Sequence, residues 1–547
     1  MPATVIINGQ SAPAPSGTTI FECAEGIGVR VPTSCQKQGK CKECLVEVTA
    51  GTDALSARAP EEKHLDGRFR LACRTAITAD HGEIHCHTMR RGEMRIDLAA
   101  SGMPVTLEGL KPDAAVTRRG DAVCIEGEEI ERSTGPIYGI AADLGTTTVV
   151  LRLFNLETGE FVAGASFENP QRFAGSDIMA RIHYDSLHPG KQLRRALAAY
   201  LTHAIEEFPV DPRSIYEMVV VGNSTMRDLF FRQNVHSIGQ SPYRSITEIQ
   251  MEEGKRTSTA LVETGRRSLL PIHPRARVWG APVISGHVGA DAAACMLAAG
   301  LDREERIVAV MDIGTNTELI VGNRHRILAA SCPAGPAFEG GAIACGMPAL
   351  SGAIEDVRIG QDGSLALKVI GGGAPQGICG SGLVALLGEL LRTERMNERG
   401  RFEDGPERIE LDSRAPVYFS ESDVNELAQA KGANAAGLQV VFANYGIDFG
   451  RVDVFYLAGG FGRHIDLEAA KGIGLIPPIA PERIVQAGNA AIEGASLALL
   501  SRSRREALDR MVRQVEHCRL ETHPRFFDFF VEGCLFKPME AAQQVAG

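Results

Sequence analysis

The sequence lacks the features that mark membrane, secreted or nucleic-acid-binding proteins. No uninterrupted apolar run in its 547 residues reaches the roughly 18 residues that a membrane span needs. The first residues lack a basic region followed by an apolar core, so no secretory signal is visible and we expect a cytoplasmic protein. Lys and Arg number 57 against 68 Asp and Glu, and the resulting net charge of −11 argues against a general nucleic-acid binder.

Familiar nucleotide-binding signatures are also missing. There is no Walker A motif and no protein-kinase signature set, and Gly371-Gly372-Gly373 lacks the strand–helix frame of a dinucleotide fingerprint. The composition, 44% hydrophobic and 23% charged, is that of a globular protein, and about 150 residues per domain predicts three to four units. Glycine is abundant, with 59 residues, which suggests many tight turns or backbone contacts to phosphate.

Cysteine is plentiful but unsuited to a disulfide framework, since the count of 13 is odd and no export signal is present. Six of these cysteines fall in the first 90 residues. In the same segment Asn8-Gly9 predicts a β-hairpin, and residues 16–22 predict a capped helix start. Strands over Leu45–Val48 and near Ile84 complete a small β-rich unit with one main helix.

Four of the early cysteines form the most specific motif in the chain. Cys35-x5-Cys41-x2-Cys44 places three thiols on one loop, and Cys73 returns from elsewhere. The plant-type ferredoxin spacing is C-x4-C-x2-C with a distant fourth cysteine, so this loop is one residue longer. Four thiolates also suit a tetrahedral zinc ion, but structural zinc sites usually use two close pairs and Cys73 has no near partner. We therefore favour an iron–sulfur cluster over zinc and over unligated core thiols.

After residue 90 the predicted pattern of strands, helices and turns changes. Residues 90–136 contain turn chemistry and only short strand candidates, which indicates a linker with at most a small element of its own. From residue 137 onward strands such as 149–154 and 218–221 alternate with helices such as 193–208 and 383–391. This alternation predicts an α/β domain.

An internal repeat supplies two phosphate-loop candidates. Apolar strands end in Asp-x-Gly-Thr at Asp143 and again at Asp312, one domain length apart, which suggests a duplicated lobe. In such a turn the glycine lets N–H groups approach a phosphate, hydroxyls add donors, and the aspartate can hold hydrated Mg²⁺. A third, glycine-rich loop follows the strand 452–456. The candidate ATP-binding residues are Gly145, Thr146, Thr147, Gly314, Thr315, Asn316, Thr317, Gly459, Gly460 and Gly462.

These motifs resemble two known folds. Residues 1 to about 88 resemble a 2Fe–2S ferredoxin domain of β-grasp fold, which implies that Cys35, Cys41, Cys44 and Cys73 hold the cluster. Asp143, Asp312 and the Gly459-Gly460 loop resemble the phosphate-1, phosphate-2 and adenosine motifs of the actin-like/sugar-kinase ATPase superfamily. The expected fold is therefore an α+β ferredoxin-like β-grasp domain followed by a two-lobed α/β actin-like ATPase domain.

Further segments, including 221–226, 334–341, 377–382 and 488–490, make the whole chain resemble the reductive activators of corrinoid proteins. The resemblance implies an ATP-dependent activase that reduces a Co(II) corrinoid protein to Co(I) for a methyltransferase system. Its cofactors would be a 2Fe–2S cluster and ATP with Mg²⁺, and Asp143 and Asp312 would be the catalytic residues. It implies a corrinoid protein as partner, an electron donor of unknown identity and a homodimer, with no nucleic acid or membrane partner.

The expected domain organisation is a ferredoxin domain over 1–88, a linker over 89–136, and ATPase lobes over 137–303 and 304–547. Two functions from other classes compete with reductive activation: a small-molecule kinase with an accessory iron–sulfur domain, and an ATP-gated binding or chaperone module. Activators of radical dehydratases resemble the same superfamily, but they bridge a 4Fe–4S cluster between subunits and lack the N-terminal ferredoxin domain.

Overall fold

The structure is a computed structural model that describes residues 3–90, 100–108, 110–188, 190–403, 407–412, 415–460 and 462–540. The expected linker over 89–136 thus lies partly outside the described residues, at positions 91–99 and 109. The same holds for the expected second lobe at positions 404–406, 413–414, 461 and 541–547.

The first unit is a five-stranded mixed sheet with one helix packed against it. Its elements are β1 (Thr4–Ile7), β2 (Gln10–Pro13), α1 (Ile20–Gly26), β3 (Leu45–Ala50), β4 (Phe69–Leu71) and β5 (Glu83–Thr88). The strand order is β2-β1-β5-β3-β4, in which β1 and β5 run parallel and the other neighbours run antiparallel.

Local signals at the start of this unit act as the sequence predicts. Asn8 and Gly9 form the two-residue turn between β1 and β2, and both have the positive φ (51° and 82°) that a type I′ turn requires. Thr19 caps α1: its hydroxyl accepts from the Glu22 N–H, and the Glu22 carboxylate accepts from the Thr19 N–H at 2.7 Å.

A buried carboxylate ties the returning strand β4 to the turn before it. Glu62 is fully buried and accepts from Arg70 Nε at 2.9 Å and from the Leu71 N–H at 2.8 Å. Burial by itself raises the pKa of Glu62, but the guanidinium and the backbone N–H groups outweigh it and hold the pKa below its usual range. This ion pair therefore fixes the strand that leads directly to Cys73.

We predict that Glu62→Ala lowers the free energy of unfolding of the first unit by about 3–5 kcal/mol, since it leaves Arg70 buried without a counter-charge. Denaturant titration measures the loss, and unfolding is followed through the visible absorbance of the iron–sulfur cluster expected in this unit. The matched control is Glu83→Ala, which removes an exposed carboxylate paired with His85 and should cost less than about 1 kcal/mol. Equal losses in the two variants would contradict the argument.

The segment after the first unit is more ordered than a bare linker. Its described part contains the antiparallel sheet β6-β7-β8, formed by β6 (Val116–Arg119), β7 (Ala122–Ile125) and β8 (Glu128–Arg132). Apolar side chains such as Val116 and Val123 join the core of the following lobes, and the Asp113 N–H donates to the Leu500 carbonyl at 2.8 Å. The segment therefore packs as a small element against the larger domain.

The first lobe is built on a six-stranded sheet of order β11-β10-β9-β12-β14-β13. Its elements are β9 (Tyr138–Leu144), β10 (Thr148–Asn155), β11 (Phe161–Glu168), α2 (Ile178–Leu187), α3 (Gln192–Glu206), β12 (Ile215–Val221), α4 (Ser224–Phe230), α5 (Ile246–Glu252), β13 (Leu261–Thr264), α6 (Gly265–Ser268), β14 (Arg277–Gly280) and α7 (Ala290–Ala298).

The second lobe has its own six-stranded sheet, of order β24-β23-β15-β16-β17-β25, with a three-stranded sheet β19-β18-β20 and a hairpin β21-β22 beside it. The strands are β15 (Val308–Ile313), β16 (Thr317–Asn323), β17 (Arg326–Cys332), β18 (Ala353–Ile359), β19 (Leu365–Val369), β20 (Gly377–Ile378), β21 (Arg408–Asp412), β22 (Val417–Ser420), β23 (Val454–Ala458), β24 (Ile484–Gly488) and β25 (Glu516–His517). The helices are α8 (Gly380–Arg392), α9 (Glu421–Tyr445), α10 (Leu467–Gly472), α11 (Ala490–Leu500), α12 (Arg502–Gln514) and α13 (Phe526–Gly533).

Sheet order confirms the duplication that the Asp-x-Gly-Thr repeat predicts. In each lobe three consecutive strands form an antiparallel meander, β9-β10-β11 in one and β15-β16-β17 in the other. The first strand of each meander then pairs in parallel with a later strand, β12 or β23. Asp143 and Asp312 thus occupy equivalent positions near the ends of β9 and β15.

The first unit is seated on the first lobe. A single apolar core runs from the five-stranded sheet into the region around α3, where the Tyr200 hydroxyl accepts from the Met89 N–H at 3.0 Å. The buried Glu47 of β3 pairs with Arg172 at 2.7 Å. Within the described ranges no helix combines the length and apolar character needed to cross a bilayer.

Candidate functional site

The four motif cysteines come together as two pairs. The Cys44 thiol donates to Cys73 Sγ across 3.3 Å, and the Cys35 and Cys41 thiols lie within hydrogen-bonding reach of each other. Three of the four are buried and Cys35 is half-buried. β3 follows Cys44 directly, and β4 leads into the 3₁₀ turn that carries Cys73. The fold therefore unites residues that are 29 positions apart.

Backbone N–H groups of the cysteine loop point at the sulfur atoms. Burial acts to raise the pKa of Cys35, but N–H groups of Cys41, Lys40 and Gln38 outweigh it and lower the pKa. The hydrogen bond from Cys44 lowers the pKa of Cys73 to about 7, and the Gly39 N–H adds to the effect. The loop thus stabilises negative charge on Cys35 and Cys73, whereas burial raises the pKa of Cys41 and the hydrogen bond with Cys73 raises that of Cys44.

The arrangement of the thiols bears on the two kinds of metal site that the spacing leaves open. A structural zinc ion takes all four ligands at one point in a tetrahedron. Among the described residues, no three His, Cys, Asp or Glu side chains converge on a point suited to a single ion. The four thiols instead form two pairs, and the N–H groups directed at them fit the sulfide of an iron–sulfur centre.

The second site is a cleft between the two lobes. Both Asp-x-Gly-Thr turns line it, together with the glycine loop after β23. Of the residues that the sequence selects, the lining includes Asp143, Gly145, Thr146, Thr147, Asp312, Gly314, Thr315, Asn316, Gly459 and Gly460. Thr317 and Gly462 lie outside this lining: both are buried, and Thr317 begins β16.

Two glycines in these loops are required by close backbone approach. A Cβ at Gly145 would meet the Thr148 carbonyl oxygen at 2.5 Å. Gly459 has φ of +103°, and a Cβ there would collide with the Ile313 carbonyl oxygen at the end of β15. The third loop is therefore held directly against the second Asp-x-Gly-Thr turn.

Several cleft residues were not selected by the sequence reasoning. They are Asn223, Asp291, Glu318, Glu339 and Asn489. Asn223, Glu339 and Asn489 lie inside segments that carry the family resemblance. Both asparagines cap a helix: their side chains accept from N–H groups at the starts of α4 and α11. No spacing rule connects the three acidic residues, because they reach the cleft from α7, β16 and a loop before β18.

Hydrogen bonds join the two lobes across the cleft. Thr147 Oγ1 and Thr315 Oγ1 lie 2.9 Å apart, and Thr147 Oγ1 donates to Glu339 Oε2 at 2.9 Å. Thr315 Oγ1 also donates to Glu339. The side-chain amide of Asn489 donates to Asp143 Oδ2 at 3.1 Å, and the Cys295 thiol donates to Asp312 Oδ2 at 3.3 Å. Each aspartate is thus held in a defined orientation.

The cleft is strongly acidic. Burial raises the pKa of Asp143 to about 7 and that of Asp312 to about 6. Burial together with the charge of Asp143 raises the pKa of Asp291 to about 8, and burial also raises the pKa values of Glu318 and Glu339. Carboxylates collected at one site in this way favour a cation, since a cation removes the cost of ionising them together.

A second cavity continues from this cleft. It shares Thr147, Thr148, Glu339 and Gly460 with the cleft and has a volume of about 140 Å³. Its remaining walls are more apolar and include Phe338, Met347 and Ile370. The combined space has a polar end suited to phosphates and metal and an apolar end suited to a flat ring.

Comparison with known proteins agrees with this architecture. Residues 5–78 match the model of the 2Fe-2S iron-sulfur cluster binding domain. Residues 138–304 match the RACo middle region, and residues 306–546 match the C-terminal domain of RACo, the ASKHA domain. An iron–sulfur domain is therefore followed by an ATP-binding domain of the actin-like class, and the fold class expected from the sequence is confirmed. The boundaries at residues 88, 136 and 303 stay predictions.

Similar proteins have related names. The corrinoid activation enzyme RamQ of Eubacterium limosum is 30% identical, over 94% of this chain and 96% of its own. A Co(II) methylated amine-specific corrinoid protein reductase of Methanosarcina barkeri is 26% identical, over 72% of this chain and 76% of its own.

A solved structure of a reductive activator for a corrinoid, iron-sulfur protein has the same fold. It superimposes with a TM-score of 0.72 at 24% identity, over 98% of this chain and 99% of its own. Because the RamQ relative matches along nearly the whole chain and three successive domain models match in order, this chain belongs to the family of corrinoid activation enzymes.

Proposed function

We propose that this chain is an ATP-dependent reductive activase, which passes one electron to the Co(II) form of a corrinoid protein and so restores Co(I) for methyl transfer. The observation that carries the proposal is the combination of two sites in one molecule. Paired cysteines suited to an electron carrier share a continuous apolar core with the first lobe, which itself forms one wall of the candidate nucleotide cleft. The names of the relatives support the choice of acceptor.

The electron site would be a 2Fe–2S cluster held by Cys35 and Cys41 on one iron and by Cys44 and Cys73 on the other. When bound, such a cluster supplies reversible one-electron transfer. The chain's own contribution is the set of N–H groups from Gly39, Lys40 and neighbouring residues, which donate toward the sulfur atoms. These donors stabilise the added negative charge of the reduced state.

The nucleotide site would hold ATP and Mg²⁺. Asp143 and Asp312 would organise the metal and the attacking water, since both are oriented by single donors and end equivalent strands. Thr146, Thr147, Thr315 and Asn316 would contact the phosphates, and the Gly459-Gly460 loop would lie against the adenosine. Thr317 begins β16 behind the turn, so its predicted phosphate contact has less geometric support.

ATP is needed because the electron transfer is uphill. If the acceptor potential lies about 100–200 mV below that of the cluster, the deficit is about 2.4–4.7 kcal/mol for one electron. Nucleotide binding can offset it only by binding one conformation more tightly than another. Thr147 and Thr315 would couple nucleotide binding to a change in the relative position of the lobes, because they belong to different lobes and share Glu339.

We predict that MgATP binding tightens by at least about tenfold between pH 6 and pH 8. The raised pKa values of Asp143 (about 7) and Asp312 (about 6) leave these groups partly protonated near pH 6, and a bound cation must displace those protons. Without a cation the sign reverses: their contribution to stability is present at low pH and is lost as the pH rises from about 4 through 7.

Calorimetric titration of MgATP at several pH values measures this dependence. Asp143→Asn removes one titrating group and should flatten the profile. An affinity that stays constant across pH 6–8 in the unmodified chain would contradict the assigned role of these carboxylates.

Anaerobic spectroscopy tests the proposed function. A Co(II) corrinoid protein is mixed with this chain and a reductant, and Co(I) absorbance should appear only when ATP is added. Appearance of Co(I) without ATP would refute the energetic role of the nucleotide. Phosphate transfer to a small molecule in place of cobalt reduction would favour the kinase alternative, and a redox-inert cluster would favour the binding-module alternative.

We also propose a homodimer, as the family resemblance implies. Sedimentation velocity across a range of protein concentrations tests it, and a single species with the 58.6 kDa mass of one chain at every concentration would exclude it.

A further inference from the structure

We propose that the surface beside the cysteine loop is the docking site of an acidic one-electron carrier protein, which delivers the electron to this chain. We call this the cluster-edge surface and define it by Lys40, Lys42, Arg195 and Leu269. The inference rests on the proposed function, because it assumes that the cysteine pairs hold a redox centre. It goes further by assigning the upstream partner a place and a charge.

The distribution of lysine is the first observation. The chain has only eleven lysines among its 57 basic residues. Six of them form ion pairs with carboxylates and the buried Lys431 donates to backbone carbonyls. Among the described residues the lysines without a partner are Lys40, Lys42, Lys63 and Lys111, and the first three belong to the cysteine domain. The loop over residues 35–44 contains three lysines, Lys37, Lys40 and Lys42, and one acidic residue, Glu43, so it is locally positive in a chain of net charge −11.

Nearby carboxylates do not cancel this positive charge. Glu25 is paired with Lys37, and Glu61 is paired with Arg74 at 3.3 Å. Glu43 accepts from the neutral Ser34 hydroxyl at 2.7 Å and so keeps its negative charge, but it is one carboxylate beside two unpaired lysines. The exposed Lys40 and the half-buried Lys42 therefore leave the loop that carries three of the cysteines with a net positive charge, which can attract an acidic protein.

The shape of the surface is the second observation. A groove of about 350 Å³ separates the cysteine loop, at Pro32–Ser34 and Glu43, from helix α3. Arg195 on α3 lines the groove, is exposed and has no ion-pair partner within the described chain. Leu269 also lines it, is 58% exposed and has a positive φ of 67°. Leu269 and Arg195 thus place an exposed apolar residue and an unpaired cation in one groove beside the cysteine loop, a combination typical of protein-docking surfaces.

Access to the redox centre is the third observation. Cys35 is the one half-buried member of the cysteine set, while Cys41, Cys44 and Cys73 are buried. The loop that contains Cys35 also contains Lys40 and Lys42. A carrier docked by its negative charges on these lysines would thus approach the most accessible edge of the site.

The transfer itself involves one electron and no atoms. With reduced flavodoxin as the carrier, the anionic flavin hydroquinone loses one electron and becomes the neutral semiquinone. The oxidised two-iron centre of this chain gains that electron. No bond forms or breaks and no proton is transferred.

The experiment compares Lys40→Glu/Lys42→Glu with Lys111→Glu/Lys255→Glu, which changes net charge equally but lies outside the cysteine domain. Stopped-flow absorbance measures the second-order rate constant for reduction by flavodoxin hydroquinone, and titration calorimetry measures flavodoxin affinity. At low salt the loop variant should lose at least about tenfold in both, and the difference should shrink at high salt. The control variant should stay within about twofold of the unmodified chain.

Two measurements separate docking from damage and from failure of the proposed function. Lys40 contributes only its backbone N–H to the cysteine site, and Lys40→Glu keeps that group. Unchanged cluster absorbance and an unchanged rate with photoreduced deazaflavin, a small neutral reductant, establish that the loop variant is intact. Neither readout uses corrinoid or ATP, so both remain valid if the activase proposal fails. Unchanged flavodoxin kinetics in the loop variant would overturn the proposal, and so would equal losses in the control variant. If the loop variant lost only the reduction of the corrinoid protein, the surface would instead bind that electron acceptor, and the proposal would be wrong.

Discussion

Asp312→Ala is expected to lower ATP hydrolysis by about 10²–10³-fold while leaving the visible spectrum of the iron–sulfur site unchanged. Asp312 lies near the end of β15 in the interlobe cleft, and its carboxylate is oriented by the Cys295 thiol at 3.3 Å. Its loss removes a negative group that would hold Mg²⁺ and the attacking water. Phosphate release measures the turnover, and absorbance measures the cluster.

Two further variants sharpen this result. Asp312→Asn keeps the shape of the side chain but removes its charge, so it should be nearly as inactive as Asp312→Ala. Asp362→Ala changes an exposed aspartate in the turn between β18 and β19 of the same lobe and should leave hydrolysis unchanged. Full activity in Asp312→Asn would show that the carboxylate charge is not required, and the assigned role would then be wrong.

Cys41→Ser is expected to abolish the visible iron–sulfur absorbance and all electron transfer, with ATP hydrolysis retained. The substitution leaves Cys35 without the second thiolate of its pair, and a hydroxyl is a poor substitute for a soft sulfur ligand. The cleft shares no lining residue with the cysteine loop, so the two activities should separate.

Cys23→Ala is the matched control for this variant. Cys23 is a buried cysteine of the same domain, but it lies on α1 with its Sγ 3.8 Å from the Thr18 hydroxyl and belongs to neither pair. Its replacement should keep the absorbance and lower stability only modestly. Unmodified protein that is colourless under anaerobic conditions and binds stoichiometric zinc would overturn the cluster assignment itself.

Much of the first unit could be predicted because its signals are local. Asn8-Gly9 selects a hairpin through backbone sterics, and Thr19 with Glu22 selects a helix start through two reciprocal hydrogen bonds. The same is true of the turns after β9 and β15, where the order aspartate, glycine, threonine implies its own conformation. Such signals act within a few residues, so they can be recognised in the sequence without knowledge of the tertiary structure.

The segment after residue 90 lacks such local signals. Strands β6, β7 and β8 are four or five residues long, and β8 carries mostly charged side chains. Their order comes from one another and from packing on the lobes, as with Val123 in the shared core. Weak local propensity therefore predicts a linker with at most a small element, and tertiary contacts make that element a three-stranded sheet.

The sequence by itself determined which residues could bear the chemistry: the cysteine spacing, the repeated Asp-x-Gly-Thr turns and the glycine loop are local patterns with narrow physical meaning. Only the tertiary structure decided how they are grouped. It joined Cys44 to Cys73 at 3.3 Å, joined Thr147 to Thr315 through Glu339, and brought Asp291 and Glu318 into the cleft. The physical reason is that pairing between distant strands sets these distances, and no local pattern encodes the register of such pairing.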